Sequence, residues 1–283
     1  MMKKALQVEA TENAVRQLVL AAKGKDRANV WTRCRNTPTY EVVGKLERAD
    51  ARDILNYRAT LVPGTERYAA YYRMHPDWEE NDKKFRHVPT AEASHKRRES
   101  LFSGEPLAFA LSNACKDAFL LSGKDLGTVS ENRVELNPEA AAKNIKGAAR
   151  YFGADLVGIC ELNPAWVHSH SGGDFDGLHW GEPINITHRY AIAIAAHHNF
   201  EMPLAGRGVG ICPTIETNDV AFSRVTVPTI RLASYIRALG HPAEAHTISS
   251  KLNAVAIAVD AGLGEVGAER NPHNQRVRAG SAY

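Results

Sequence analysis

No Cys-x-x-Cys pair occurs in this chain of 283 residues, and its four cysteines, Cys34, Cys115, Cys160 and Cys212, stand 45 or more residues apart. That spacing argues against a zinc ribbon, a local disulfide framework or an iron–sulfur cluster built from this chain alone. Buried free thiols are the expectation. No run of 18 apolar residues is present, so no membrane-spanning helix is expected. Residues 1–24 lack the apolar block and small-residue cleavage site of a signal peptide, and Arg97-Arg98 stands mid-chain without an apolar run behind it. A cytoplasmic protein is the simplest expectation. Excess charge is scarce too: 35 Lys and Arg face 32 Asp and Glu, a net +3 that gives no case for nucleic acid. The run His95-Lys96-Arg97-Arg98 is followed at once by Glu99 and reads as a solvated turn. There is no internal repeat and no low-complexity linker.

What is present is an ordinary globular balance, 44% hydrophobic and 24% charged. Residues 11–23 carry Val15, Leu18, Val19 and Ala22 on one helical face, ended by Gly24. Residues 45–125 are polar, with short helical signals and no long strand. Aromatics gather at Tyr68, Tyr71, Tyr72 and Trp78 around a turn at His75-Pro76. Residues 1–135 are therefore expected to form a mostly helical N-terminal region.

The pattern changes near residue 136. Asn137-Pro138-Glu139 is a helix start, with an N-cap residue, proline at N1 and an acid in the first turn. Ile145, Ala148, Ala149 and Phe152 recur at helical spacing, and Gly153 ends the helix. A strand is expected over 156–160. A second over 190–196 is apolar on both faces and is expected at the centre of its sheet. A glycine-rich turn (Gly206, Gly208, Gly210) precedes a helix over about 219–239, which Pro228 is expected to kink or split. A further strand over 243–248 and a helix over 253–261 lead into Gly262-Leu263-Gly264. Helices and strands alternate, so residues 136–283 are expected to be an α/β (α+β) layered domain.

Three stretches of this half stand in a familiar order. They run from Lys143 to Cys160 (KNIKGAARYFGADLVGIC), from Leu232 to His241 (LASYIRALGH) and from Ala261 to Gly267 (AGLGEVG). Together they resemble the catalytic subunit of reductive dehalogenases and, more distantly, epoxyqueuosine reductase. Tyr71-Tyr72-Arg73-Met74-His75-Pro76 resembles that family's N-terminal region. The resemblance implies a nitroreductase-like core that holds a corrinoid (cobalamin) and cleaves a carbon–halogen bond. The cofactor would carry the hard chemistry while the protein orients substrate and delivers a proton.

Carried across position by position, the resemblance implies specific roles. The family's proton-donating tyrosine falls at Phe222, within Ala221-Phe222-Ser223, leaving Ser223 as the nearest hydroxyl. An asparagine of the family falls at Ser249, and its assisting basic residue at Arg278. Gly206, Gly208 and Gly210 would be a loop near the corrin face, and Gly262 and Gly264 a tight turn beside it. As a dinucleotide motif the 206–210 glycines lack the strand-to-helix setting and the downstream acid. Five residues follow Arg278, so the family's cluster-binding cysteines have no counterpart, and a truncated chain is expected. Electrons would come from a separate iron–sulfur or flavin protein, with a halogenated small molecule as substrate.

A different chemistry is open to the loop that holds His168, His170, Asp174, Asp176 and His179, since imidazole and carboxylate together suit zinc, iron or manganese. Gly172-Gly173 suggests that this loop is flexible. His188, His197 and His198 lie further on. Three readings follow: a corrinoid-dependent dehalogenase-type oxidoreductase, a non-catalytic truncated paralogue that binds a corrinoid or a partner subunit, and a metal-binding protein.

Overall fold

The computed structural model describes residues 42, 44–83, 106–115, 118, 127–173, 178–199, 201, 215–216, 219–247 and 251–264. The helix over 11–23, the basic run at 95–98, Gly206, Gly208, Gly210, Asp174, Asp176, Ser249 and Arg278 lie outside these residues. The described fold mixes helix and sheet. Seven α-helices are described: α1 (Leu55–Arg58), α2 (Glu66–Met74), α3 (Glu79–Lys83), α4 (Pro106–Ala114), α5 (Pro138–Tyr151), α6 (Thr226–Ala238) and α7 (Ala254–Asp260). Strands β1 (Leu156–Glu161) and β2 (Tyr190–Ala195) form one two-stranded sheet. Among the described residues no helix is long and apolar enough to cross a membrane.

Helix α5 begins as its sequence dictates. The Asn137 side chain accepts the Ala140 N–H at 2.8 Å, and Pro138 occupies a first-turn position where no N–H is needed. Its inner face buries Ala148 and Ala149 against Ala154, Val157 and Leu232, with Ile145, Phe152, Ile192, Ile194, Tyr235 and Ile236 packed around them. Gly153, at φ +114°, then turns the chain into β1.

The sheet sorts side chains by size. β1 and β2 run antiparallel, with Val157 opposite Ile194 and Ile159 opposite Ile192. These positions give one face its branched side chains, and Val157, Ile192 and Ile194 pack with α5 and α6. Gly158 opposite Ala193 and Cys160 opposite Ala191 occupy the other face. There Cys160, Ala191 and Ala193 join Trp166, Ala256 and Ile257, so α7 and the Pro164–Trp166 turn cover it. A side chain at Gly158 would collide with the Ala261 carbonyl oxygen and lie 2.7 Å from the Ala261 Cβ. The absence of a side chain at 158 therefore lets the end of α7 rest on the strand.

Several expectations need correction. β2 was expected at the centre of its sheet because both faces are apolar, but among the described residues it has one strand neighbour. Its two apolar faces are covered by α5 and α6 on one side and by α7 and the Pro164–Trp166 turn on the other. Residues 243–247 form no strand. Instead the Arg237 guanidinium donates to the Ala243 carbonyl at 2.6 Å, and Lys251 pairs with Glu244 at 2.5 Å. The break in the 219–239 helix is real but lies upstream of Pro228. A wide π-turn, Val220–Arg224, comes first, and Pro228 sits in the first turn of α6, where a missing N–H costs nothing. Gly172 and Gly173, read as marks of a flexible loop, are both buried. A Cβ on Gly172 would strike the Tyr57 ring and lie 2.8 Å from the Ala51 carbonyl oxygen.

That last contact belongs to a clasp between the N-terminal region and the core. Ser169 N–H donates to the Ala49 carbonyl at 2.8 Å, and Ala51 N–H donates to the His170 carbonyl at 3.2 Å. The Arg48 guanidinium donates to the carbonyls of Val167, His168 and Ile184 at 3.0, 2.5 and 2.5 Å.

Gly158→Ala is expected to destabilise the protein by about 1–3 kcal/mol through overpacking. The measurement is the urea midpoint at unchanged slope. A midpoint equal to the parent's would mean that the end of α7 does not depend on this contact.

Candidate functional site

The residues that carry ionic chemistry collect where β1 begins and β2 ends. Asp155 precedes β1, and its carboxylate Oδ2 accepts the His197 N–H at 2.7 Å. Arg224, the last residue of the π-turn, places Nη2 3.3 Å from the same Asp155 oxygen and Nη1 3.8 Å from Glu216 Oε1. Glu216 Oε1 also accepts the Asn199 N–H and lies 3.7 Å from His198 Nδ1. The Glu216 side chain is 7% exposed, against 28% for His198 and 34% for Arg224. A buried carboxylate is costly unless partnered. Here a backbone N–H, a guanidinium and an imidazole supply the partners, drawn from β2's end and from the π-turn.

The π-turn explains how Arg224 reaches both acids. Val225 N–H donates to the Val220 carbonyl at 3.0 Å, an i→i+5 bond, and Thr226 Oγ1 donates to the Ala221 carbonyl at 3.1 Å. One residue more than an α-turn is thereby accommodated before α6 starts. Such insertions are rare and recur at functional sites. Phe222 and Ser223, the positions implied as catalytic, stand half-buried on this turn. Gly262 takes φ +74° after α7, and Gly264 is exposed, with nothing within 4 Å of where a Cβ would lie. Their anchor, Ala261, rests on Gly158, two residues into β1 from the end that carries the network.

The histidine loop has other partners. His168 is buried, and its backbone N–H donates to the Lys251 carbonyl at 2.9 Å. His170 Nδ1 lies 3.0 Å from Ser169 Oγ and 3.4 Å from Asp50 Oδ2. His179 is exposed, and its backbone N–H donates to Glu182 Oε2 at 2.7 Å. Among the described residues no group of three His, Cys, Asp or Glu side chains is gathered for a metal.

A second polar group lies at the clasp. Tyr71 Oη donates to Asp53 Oδ1 at 3.0 Å, and His75 Nε2 lies 3.3 Å from the same oxygen. His75 stacks on Trp78 with centroids 4.6 Å apart. Burial raises Asp53 above the usual carboxylate range despite the nearby His75 charge and the Tyr71 hydrogen bond. Burial, with the Asp53 charge and hydrogen bond adding to it, pushes Tyr71 well above the usual phenol range. Burial alone would raise Asp50, but hydrogen bonds from Arg52 outweigh it and hold this acid low. Beside the sheet, burial raises the Cys160 thiol to about 11, with the charge of Asp260 adding to it. Cys160 is thus a packed thiol and not a thiolate nucleophile.

Sequence reasoning gave no role to Glu216, Arg224 or Asp155, although Asp155 lies within the Lys143–Cys160 stretch. The antiparallel pairing and the π-turn bring the three together. Nor did it single out Asp50 and Asp53, although their aromatic neighbours Tyr71, Tyr72 and Trp78 stood out. No protein-family model matches the chain, and no curated protein matches it.

Burial depresses the His168 imidazole below its ordinary range, outweighing its hydrogen bonds to the backbone of Ala49 and Leu252. The folded ring therefore stays neutral where the unfolded ring is charged, and the unfolded chain binds more protons as pH falls. This stabilising contribution is present above about pH 6.5 and is lost below it. The stability advantage of the parent over His168→Gln, from urea midpoints, is expected to shrink between pH 7.5 and 5.5. A constant difference would refute the assignment.

Proposed function

We propose that the chain is a corrinoid-binding protein of the reductive-dehalogenase type that acts on a halogenated small molecule. The observation that carries the reading is the π-turn Val220–Arg224. It sets Phe222 and Ser223 half-buried beside the Glu216–Arg224–Asp155 network, at the end of a sheet covered by helices on both faces. The resemblance puts its proton-delivering position on this turn.

Gly264 is exposed, with nothing within 4 Å of where a Cβ would lie, so a ring approaching it would meet no side chain at that position. Gly262 and Gly264 would hold the corrinoid together with Gly206, Gly208 and Gly210. When bound, it would supply the electron chemistry that breaks the carbon–halogen bond. The chain's own residues would do the rest. Phe222 would offer an apolar wall to the substrate, Ser223 a hydroxyl, and Ser249 and Arg278 polar contacts. Electrons would arrive from a separate iron–sulfur or flavin protein.

A second reading has its own support. Phenylalanine at 222 has no proton to give, which favours a corrinoid binder without turnover.

The full chain, incubated with hydroxocobalamin and passed through gel filtration, is expected to retain the corrinoid with an altered visible spectrum. Elution free of corrinoid would end both readings. With reduced viologen and a brominated phenol, bromide release by the parent supports catalysis, and its absence supports the non-catalytic binder. Phe222→Tyr is expected to raise release roughly tenfold or more, as a restored general acid would. No change would count against placing the family tyrosine here.

A further inference from the structure

Helix α2 carries Tyr68, Tyr71 and Tyr72, with His75 just past its end, at the three- and four-residue spacing of one helical face. Their rings touch in series. Centroids lie 4.6 Å apart for Tyr68 and Tyr72, 5.2 Å for Tyr72 and Tyr71, and 4.9 Å for Tyr71 and His75. His75 then stacks on Trp78 at 4.6 Å, with the planes only 21° apart. Trp78 is the exposed end of this row, and Tyr71 and Tyr72, 1% and 5% exposed, are its buried part.

Each phenol also has a proton acceptor of its own. Tyr68 Oη donates to Glu79 Oε1 at 2.7 Å, Tyr71 Oη to Asp53 Oδ1 at 3.0 Å and Tyr72 Oη to Asp82 Oδ2 at 3.0 Å. Asp82 is buried, and Arg58 Nε holds it at 3.1 Å. Ring packing alone needs none of these carboxylates, since phenylalanine fills nearly the same space. A phenol gives up an electron far more readily when a hydrogen-bonded base takes its proton in the same step, because no phenol cation is then formed. Burial makes Asp53 a stronger base for this task by raising it above the usual carboxylate range.

We infer that the row from Trp78 to Tyr72 is a redox relay, which accepts a one-electron oxidising equivalent at the surface and holds it as a neutral tyrosyl radical on the buried Tyr71–Tyr72 pair. The relay needs no corrinoid. Its oxidant is a diffusible radical of the carbonate or peroxyl class. The oxidant takes one electron from the Trp78 indole and is itself reduced by one electron. An electron from Tyr71 crosses the His75 ring to refill Trp78 while the Tyr71 hydroxyl proton moves to Asp53. Tyr71 is left a neutral radical and Asp53 a neutral acid, and exchange with Tyr72 moves that proton onto Asp82 in the same way. A thiol restores the row: it loses one electron and its proton becomes solvent, and Asp53 returns its own proton to Tyr71.

The full chain, irradiated with ruthenium tris(bipyridine) and a pentaamminecobalt(III) acceptor, meets a one-electron oxidant in solution. Peptide mass spectrometry of the parent then reads where oxidation products form. Products on Tyr71 and Tyr72 are expected to outnumber those on Tyr151 and Tyr190, although the latter are 54% and 58% exposed. A distribution that follows exposure, with Tyr151 and Tyr190 leading, overturns the relay, and this result needs no variant to fold. In samples frozen after the flash, the tyrosyl EPR signal is expected to lose most of its intensity in Tyr71→Phe/Tyr72→Phe, and a parent-level signal there overturns the storage site. Trp78→Phe is expected to lower the signal and Trp78→Tyr to restore it, a pattern that packing alone would not produce; equal signals in both overturn Trp78 as the entry. Asp53→Asn still accepts the Tyr71 hydrogen bond but does not take its proton. It is expected to move products from Tyr71 to Tyr72, and an unchanged distribution overturns the role of Asp53.

Discussion

The fold depends on the size difference between the two faces of one short sheet. Isoleucine and valine on one side fill the space beneath α5 and α6, while glycine and alanine on the other bring α7 against the backbone. The branched face contributes burial on the order of 25 cal/mol per Å² of apolar surface. The small face contributes proximity, since it lets the Ala261 carbonyl sit on Gly158. Because side chains alternate along a strand, slipping the register by one residue would exchange the two roles and spoil both interfaces. The same register sets Asp155 beside the end of β2, so the ionic network inherits its geometry from core packing.

That network is small and interdependent. Arg224 is shared by two carboxylates, Asp155 and Glu216, and each carboxylate is also tied to backbone near the end of β2. The π-turn is what lets one guanidinium serve both. An uninterrupted α-helix from residue 219 would rotate every following side chain by the share of a turn that the extra residue adds, about 100°. Secondary structure that looks irregular here is thus the device that aims a side chain.

How much of this was legible in the sequence follows from the range of each signal. Helix α5 could be read almost to the residue, because Asn137, Pro138 and Gly153 act within a single turn of chain. The two strands and α7 were legible from apolar runs bounded by polar and glycine residues. β2's neighbours were not, because period-two apolarity reports covered faces and is silent on strand pairing. Pro228 was noticed, but its effect depends on whether it falls in the first turn of a helix or its interior, and the π-turn decided that. At the candidate site, Phe222 and Ser223 came from the resemblance alone. Glu216 and Arg224 carry no local pattern, Asp155 lies in the 143–160 stretch without a role of its own there, and their meeting is made by tertiary structure. Gly172 misled for a related reason: a glycine reads the same in sequence whether it frees a loop or makes room for the ring of Tyr57.

The clasp formed by Arg48 has a consequence for how the chain reaches this state. Its three carbonyl partners lie 119, 120 and 136 residues further along. Contacts of such long sequence separation impose a loop-closure entropy that must be met before any of their enthalpy is gained. During synthesis at roughly 5–20 residues per second, the Arg48 segment emerges several seconds or more before Ile184 exists to receive it. It can dock only after Val167, His168 and Ile184 have been made. The Arg48 segment therefore waits without these partners for much of the chain's birth.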